Sequence, residues 1–166
     1  MLFRKYLIAF AILFLTSCGW TPVYYNASGE QELDTQKVEI LPIPDETGRF
    51  LRSKLTDLLN PEKQDLKKEY TLQVLLKEQI DSDQGILGDN TATRATMRLD
   101  AQIILKQKEK VLLDTNTFAV SSYNILMLPY STVTTEDTTR HRLLEVLANQ
   151  IATRVTVYFK KNQVSQ

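Results

Sequence analysis

A strict alternation of apolar and polar residues marks the middle of this chain. From position 95 to position 105 every second side chain is apolar: Ala95, Met97, Leu99, Ala101, Ile103 and Leu105. The side chains between them are polar up to position 102: Arg94, Thr96, Arg98, Asp100 and Gln102. Successive side chains of a strand point to opposite faces, so this segment predicts a long strand with one buried face.

Two further strands are predicted around it. Residues 70–76 alternate in the same way, which indicates a strand earlier in the chain. Residues 111–123 follow a charged turn at 106–110, so they predict the second arm of a hairpin. Lysines occupy alternate positions of that turn: Lys106, Lys108 and Lys110. Residues 81–90 are mostly polar and contain two glycines, and we expect a loop there.

The first part of the domain predicts an edge strand and a helix. The short apolar run at residues 38–43 is interrupted by Pro42 and closed by Pro44. Because proline cannot donate to a strand ladder, we expect this strand at a sheet edge. Asp45 is the predicted N-cap of the next helix, and Asn60 precedes the proline that stops it. The apolar residues between them recur at helical spacing: Phe50, Leu51, Leu55, Leu58 and Leu59.

A second helix is predicted at the end of the chain. Its apolar stripe consists of Leu143, Leu144, Leu147, Ile151, Val155 and Tyr158. We expect Thr134 or Thr135 to cap it, after an apolar loop at residues 126–130. The order β-α-β-β-β-α predicts an α+β fold in which two helices pack on one face of a mainly antiparallel four-stranded sheet.

The beginning of the chain predicts secretion and lipidation. Arg4 and Lys5 precede an apolar run of about ten residues, which is half the length of a transmembrane helix. The run ends at Leu15-Thr16-Ser17-Cys18, which resembles the lipobox of bacterial lipoproteins. We therefore expect a signal peptide at residues 1–17, diacylglycerol and N-acyl chains on Cys18, a tether at 18–36 and one domain at 37–166. Gly19, in place of Asp, favours the outer membrane over retention at the inner membrane.

Composition narrows the function further. Cys18 is the sole cysteine, so an intramolecular disulfide, a cysteine zinc site and a free catalytic thiol are all excluded. Without Arg4 and Lys5, 18 basic residues face 20 acidic ones, and this near neutrality argues against nucleic acid as a partner.

The sole histidine, His141, is interpreted as a solvated helix residue rather than a catalytic one. Residues 81–92 lack the glycine and glutamate positions of a calcium loop. We expect no enzyme activity, no metal and no cofactor beyond the lipid.

Three features are candidates for binding. Arg94 and Arg98 lie on the polar side of the long strand, where the simpler interpretation is a solvated face. The lysines of the predicted turn are a second candidate, and there the simpler interpretation is a charged, soluble hairpin tip. Residues 123–130 carry much apolar and aromatic surface, which marks either a contact with a partner or a cover over the core.

Several segments together resemble the LptE family of LPS-assembly lipoproteins. The resemblance rests on Cys18-Gly19-Trp20-Thr21-Pro22-Val23-Tyr24, on Ile43-Pro44-Asp45 leading to Gly48-Arg49-Phe50-Leu51-Arg52, and on Ala92-Thr93-Arg94. It continues through Ser122-Tyr123-Asn124, Pro129-Tyr130 and Leu147-Ala148-Asn149-Gln150-Ile151. Order and spacing carry the resemblance over nearly the whole mature chain, and no single motif is specific.

The resemblance implies a partner and a role. Members of this family plug the LPS-assembly β-barrel LptD, assist its assembly and bind lipopolysaccharide. Because lipopolysaccharide carries phosphates and acyl chains, we expect Arg94 and Arg98 to contact its phosphates. From the apolar and aromatic surface of residues 123–130, we expect Tyr123, Leu126, Leu128 and Tyr130 to contact the partner. One departure is that residues 131–135 carry no cation where better-known members have one. The alternatives are an accessory lipoprotein of another envelope lipid-transport system and, less favoured, an envelope hydrolase.

Overall fold

The computed structural model describes residues 34–63, 65–86, 92–125 and 129–163. The predicted signal peptide, Cys18 and most of the predicted tether lie outside these ranges. The elements, in chain order, are β1 (Val38–Ile40), α1 (Asp45–Leu59), β2 (Tyr70–Ile86), β3 (Ala92–Gln107), β4 (Lys110–Asn124) and α2 (Pro129–Gln163). Thr35 and Gln36 are buried, so the folded domain begins slightly before the predicted end of the tether.

The four strands form one mixed sheet in the order β1-β2-β3-β4. β1 runs parallel to β2 because α1 carries the chain back between them, whereas β2, β3 and β4 pair antiparallel. The short strand β1 lies at an edge, as its prolines predict. The predicted α+β fold is confirmed in its element order and its mainly antiparallel sheet.

The alternation in β3 separates the two faces of the sheet. The side chains of Met97, Leu99, Ile103 and Leu105 are fully buried, while Arg94 is exposed. Both helices cover the buried face, and α2 packs mainly over β4 and β3. The helices bring Leu51, Leu55, Leu144, Leu147, Ile151 and Val155 into the same core. The core therefore lies entirely between the helices and one face of the sheet.

The start of α1 differs from the prediction. The N-cap is Pro44, without a side-chain capping hydrogen bond, so the predicted cap role of Asp45 is wrong. Asp45 itself has φ 67°, a left-handed conformation that Asp tolerates better than most residues. One turn later, Gly48 lies so close to Ile43 that an added Cβ would stand 2.6 Å from Ile43 Cγ2. The absence of a side chain at Gly48 allows α1 to pack against the loop that precedes it.

The start of α2 also differs from the prediction. The helix begins at Pro129, so Pro129 and Tyr130 are helical and Thr134 and Thr135 are not its caps. Proline suits the first helical position because its fixed φ is helical and its missing N–H would have no partner there. Within the helix, Thr138 Oγ1 donates to the carbonyl oxygen of Thr134 at 2.8 Å. None of the helices in the described ranges combines the length and apolar composition that spanning a bilayer requires.

β2 is longer than its sequence predicts. It extends to Ile86, so the first part of the loop predicted at residues 81–90 is strand. A shift in its pairing with β3 between Asp81 and Gln84 accommodates the irregular sequence there. The rest of that loop, residues 87–90, lies outside the described residues.

Candidate functional site

The face of the sheet turned away from the helices, called the outer face below, carries the predicted binding residues. Both helices pack on the opposite face, so the outer face is open in the described part of the chain. Several apolar side chains stand on it about half exposed, among them Leu75 of β2 at 48%, and Phe118 and Val120 of β4 at 52% each. The outer face therefore offers apolar contact area beside polar and charged groups.

Arg98 is held by its neighbours on the outer face. Its Nε donates to both carboxylate oxygens of Asp100 at 3.0 and 2.9 Å, and its Nη2 donates to Oδ1 at 2.8 Å. The guanidinium also stacks 4.1 Å from the centroid of the Phe118 ring. The hydrogen bonds to Arg98 lower the pKa of Asp100, and the same pairing raises the pKa of Arg98. A phosphate would have to compete with Asp100 for this cation.

Arg94 stands in a different setting. It lies near the start of β3, exposed, between Gln84 and Asn124 in the register of the sheet. No ion pair joins it to a side chain of the described ranges. Four residues of strand separate it from Arg98, which places the two Cα atoms about 13 Å apart. The two arginines share one face, as predicted, but Arg94 is the cation that is available to a ligand.

Tyr123 belongs to the core rather than to an open surface. Its side chain is 7% exposed on the helix side of β4, and its hydroxyl donates to Glu136 Oε2 at 3.4 Å. Burial, followed by the charge of Glu136, raises the pKa of Tyr123. A partner could reach this side chain only after α2 moved. The side chains of Leu126, Leu128 and Tyr130 lie outside the described residues, so their contact with a partner stays a prediction.

A cluster of one arginine and three carboxylates, which the sequence did not predict, joins α2 to the sheet. Arg140 is 20% exposed and reaches Glu78 of β2 with Nε at 3.0 Å and Nη2 at 2.9 Å. It also pairs with Glu136 and Asp137 of its own helix at 2.6 Å each. The hydrogen bonds to Glu78 are the largest cause that raises the pKa of Arg140. The sequence signal was Glu78, a charged residue at an otherwise apolar strand position.

His141 is exposed on α2 and takes part in packing. Its Nδ1 lies 2.8 Å from the carbonyl oxygen of Asp137, and its ring meets Phe50 of α1 edge to face at 4.7 Å. This position agrees with the expectation of a solvated helix residue. In the described residues no group of His, Cys, Asp and Glu side chains is arranged to hold a metal ion.

A cleft of about 670 Å³ lies between α1 and the segment that follows it. Four cations and two carboxylates line it: Arg49, Arg52, Lys63, Lys68, Asp57 and Asp65. Two of the cations are already engaged with the backbone beside β1. Arg52 Nε donates to the carbonyl oxygen of Ile40 at 3.0 Å, and Lys68 Nζ donates to that of Gln36 at 2.7 Å. Arg52 and Lys68 therefore stabilise the β1 edge, and they are not free to bind a ligand in the cleft.

The fold is shared with solved bacterial lipoproteins. No known family model and no curated protein sequence matches the chain. A protein of Caulobacter crescentus CB15 described as a lipoprotein matches with a TM-score of 0.62 at 18% identity, covering 80% of this chain and 97% of that one. A minor lipoprotein from Acinetobacter baumannii matches at 0.58 and 20%, covering 74% and 94%. Rare lipoprotein B from Shewanella oneidensis matches at 0.57 and 10%, covering 78% and 97%. At these identities the likeness concerns the fold.

Proposed function

We propose that this protein is an outer-membrane lipoprotein that plugs the LPS-assembly β-barrel LptD, assists its assembly and takes part in the delivery of lipopolysaccharide. One observation carries the proposal: the chain has the fold of three solved lipoproteins, and in its sequence this domain follows Cys18, the cysteine of the predicted lipobox. The segments that resemble the LptE family supply the finer part of the proposal, namely the barrel and lipopolysaccharide.

The shape and charge of the domain suit a plug. A plug has to be small, rigid and wettable, because it sits in a water-filled lumen and is held at one end. This domain has a single core between its helices and its sheet, and the mature chain is nearly neutral. Acyl chains on Cys18 would hold it at the inner side of the outer membrane, each buried methylene contributing about 0.8 kcal/mol. The predicted tether, residues 18–36, would connect the anchor to the domain.

The outer face suits part of a lipopolysaccharide molecule. That lipid presents phosphates beside acyl chains, so a cation next to apolar surface meets both. Arg94 provides the available cation, and Val120 and Phe118, four and six residues farther along the sheet, provide the exposed apolar surface. Arg98, already paired with Asp100, holds the Phe118 ring in place and contributes less to a phosphate. The protein then acts by binding alone, as neither an enzyme nor a carrier of a cofactor other than its own lipid.

Depletion of the protein in cells tests the assembly role. We expect loss of properly folded LptD from the outer membrane, measured by its heat-modifiable migration in gels, and retention of lipopolysaccharide inside the surface. Complementation with the natural chain should restore both, whereas Cys18→Ala should restore them poorly because the anchor is lost. Ala27→Ser, a small change in the predicted tether outside the lipobox, is the matched control. Normal LptD folding in depleted cells would contradict the proposal, and copurification with an inner-membrane transporter would favour the accessory-lipoprotein alternative.

A further inference from the structure

The two edge strands of the sheet, β1 and β4, differ in how far their backbone groups are open to pairing with a further strand. β1, at one edge, is three residues long. The carbonyl oxygens of Ile40 and Gln36 there accept hydrogen bonds from Arg52 and Lys68. A very short edge strand with capped backbone groups is one of the ways by which proteins prevent unwanted strand pairing. The β1 edge is therefore closed to a further strand.

In the described residues, β4 at the other edge is neither short nor capped by side chains. It is 15 residues long and pairs with β3 alone. In an antiparallel pair alternate residues direct both N–H and C=O away from the partner, so about half of β4 presents its backbone outward. In the described ranges no side chain caps these groups. β4 contains no proline and two charged residues, Lys110 at its start and Asp114. At about 3.4 Å per residue, the open edge is roughly 50 Å long.

The side chains along β4 define what could pair with it. Phe118 and Val120 extend half exposed on the outer face. On the helix side, Thr117 is buried and its Oγ1 donates to Gln150 Oε1 at 2.6 Å, which fixes β4 under α2. Free backbone groups in this arrangement are satisfied by another extended backbone. The near absence of charge favours a largely uncharged segment with apolar side chains on the outer side.

We propose that the β4 edge is the docking seam for an extended segment of the barrel partner, which adds to the sheet as a fifth strand. The proposal rests on the proposed function for the identity of the partner. Backbone hydrogen bonds along β4 would supply affinity, and contacts with Phe118 and Val120 would select the apolar side chains of the incoming segment. Pairing would also remove the aggregation hazard of a long exposed edge.

Crosslinking of the full lipidated chain in cells tests the seam directly. The photoreactive residue p-benzoylphenylalanine is placed at Asn116, an exposed position of β4, and at Glu39, an exposed position of the capped β1 edge. We expect a strong crosslink to the barrel from Asn116 and a much weaker one from Glu39, and equal crosslinks from the two positions would overturn the proposal. A crosslink from Asn116 only to a second copy of this chain would overturn the proposal.

A pair of lysine substitutions tests the same seam by copurification. Phe118→Lys introduces a cation on the edge strand, opposite Asp100, whereas Val146→Lys introduces a cation at similar exposure on α2, away from the outer face. We expect Phe118→Lys to lower the copurified barrel about tenfold and Val146→Lys to leave it unchanged. Equal copurification with both variants overturns the seam and leaves the proposed function standing. No barrel with the natural chain contradicts the proposed function itself.

Discussion

Arg140 of α2 and Glu78 of β2, 62 residues apart in the chain, are joined by a two-pronged ion pair with a shortest N–O distance of 2.9 Å. The pair is mostly shielded, at 20% and 27% exposure. It holds the first half of α2 against the second half of β2, where Glu78 lies beside the buried Leu99 of β3. This end of the domain therefore depends on charge as well as on apolar packing.

Removal of Arg140 should weaken the domain. Arg140→Leu leaves Glu78 and Glu136 close together without their shared cation, and we expect a loss of about 2 kcal/mol in the free energy of unfolding. Arg142→Leu, an exposed neighbour on the same helix, should change it by less than about 0.5 kcal/mol. Urea unfolding followed by circular dichroism measures both variants. Equal stability of the two would show that the ion pair contributes nothing.

Gly48 provides a test in which helix propensity and packing oppose each other. Gly→Ala in a helix ordinarily stabilises by about 1 kcal/mol. Here the new Cβ would stand 2.6 Å from Ile43 Cγ2 and 2.8 Å from the Ile43 carbonyl oxygen, so we expect Gly48→Ala to destabilise by about 1–3 kcal/mol. Ser53→Ala, on the exposed side of α1, is the control and should be neutral or slightly stabilising. A stabilised Gly48→Ala would contradict the close approach of α1 to Ile43.

Tyr123 should give the domain a sensitivity to alkali. Its folded pKa is raised, so the folded state holds the phenol proton at pH values where the unfolded state, near pH 10, releases it. Stability therefore falls as the pH rises above about 10, and the contribution is intact below that value. In Tyr123→Phe we expect a smaller alkaline loss of stability. Tyr70, whose pKa burial also raises, remains in that variant as an internal reference. An identical alkaline profile in Tyr123→Phe would contradict the role of this phenol.

The two arginines of the outer face should differ in their effect on lipopolysaccharide. Arg94→Ala removes an available cation, and we expect affinity to fall about tenfold, as for one hydrogen-bonded charge. Arg98→Ala removes a cation already paired with Asp100, and we expect a smaller loss. Titration of purified lipopolysaccharide onto each variant measures the difference. Unchanged binding in the double variant would exclude both residues from the ligand site.

The sequence predicted those parts of the fold that depend on local periodicity. The alternation in β3 was sufficient to give the strand, its buried face and the positions of Arg94 and Arg98. The same reasoning did not predict the second half of β2, because Glu78 breaks the apolar pattern there. Arg140, which forms the ion pair with Glu78, lies 62 positions away in the chain. The start of α2 was missed because Pro129 can begin a helix as well as interrupt a loop.

Less of the candidate site than of the fold could be predicted from the sequence. The pattern placed Arg94 and Arg98 together, but the pairing of Arg98 with Asp100 and its stacking on Phe118 depend on the register of β3 and β4. The openness of the β4 edge could not be predicted either. It follows from the order of the strands in the sheet, which no local pattern encodes.

The most direct test of the central proposal is copurification of the tagged, lipidated protein from outer membranes in mild detergent, followed by mass spectrometry of the bound proteins. The account predicts an LPS-assembly barrel of the LptD type in about equal molar amount with this chain. An inner-membrane transporter in its place, or no stoichiometric partner at all, would contradict it.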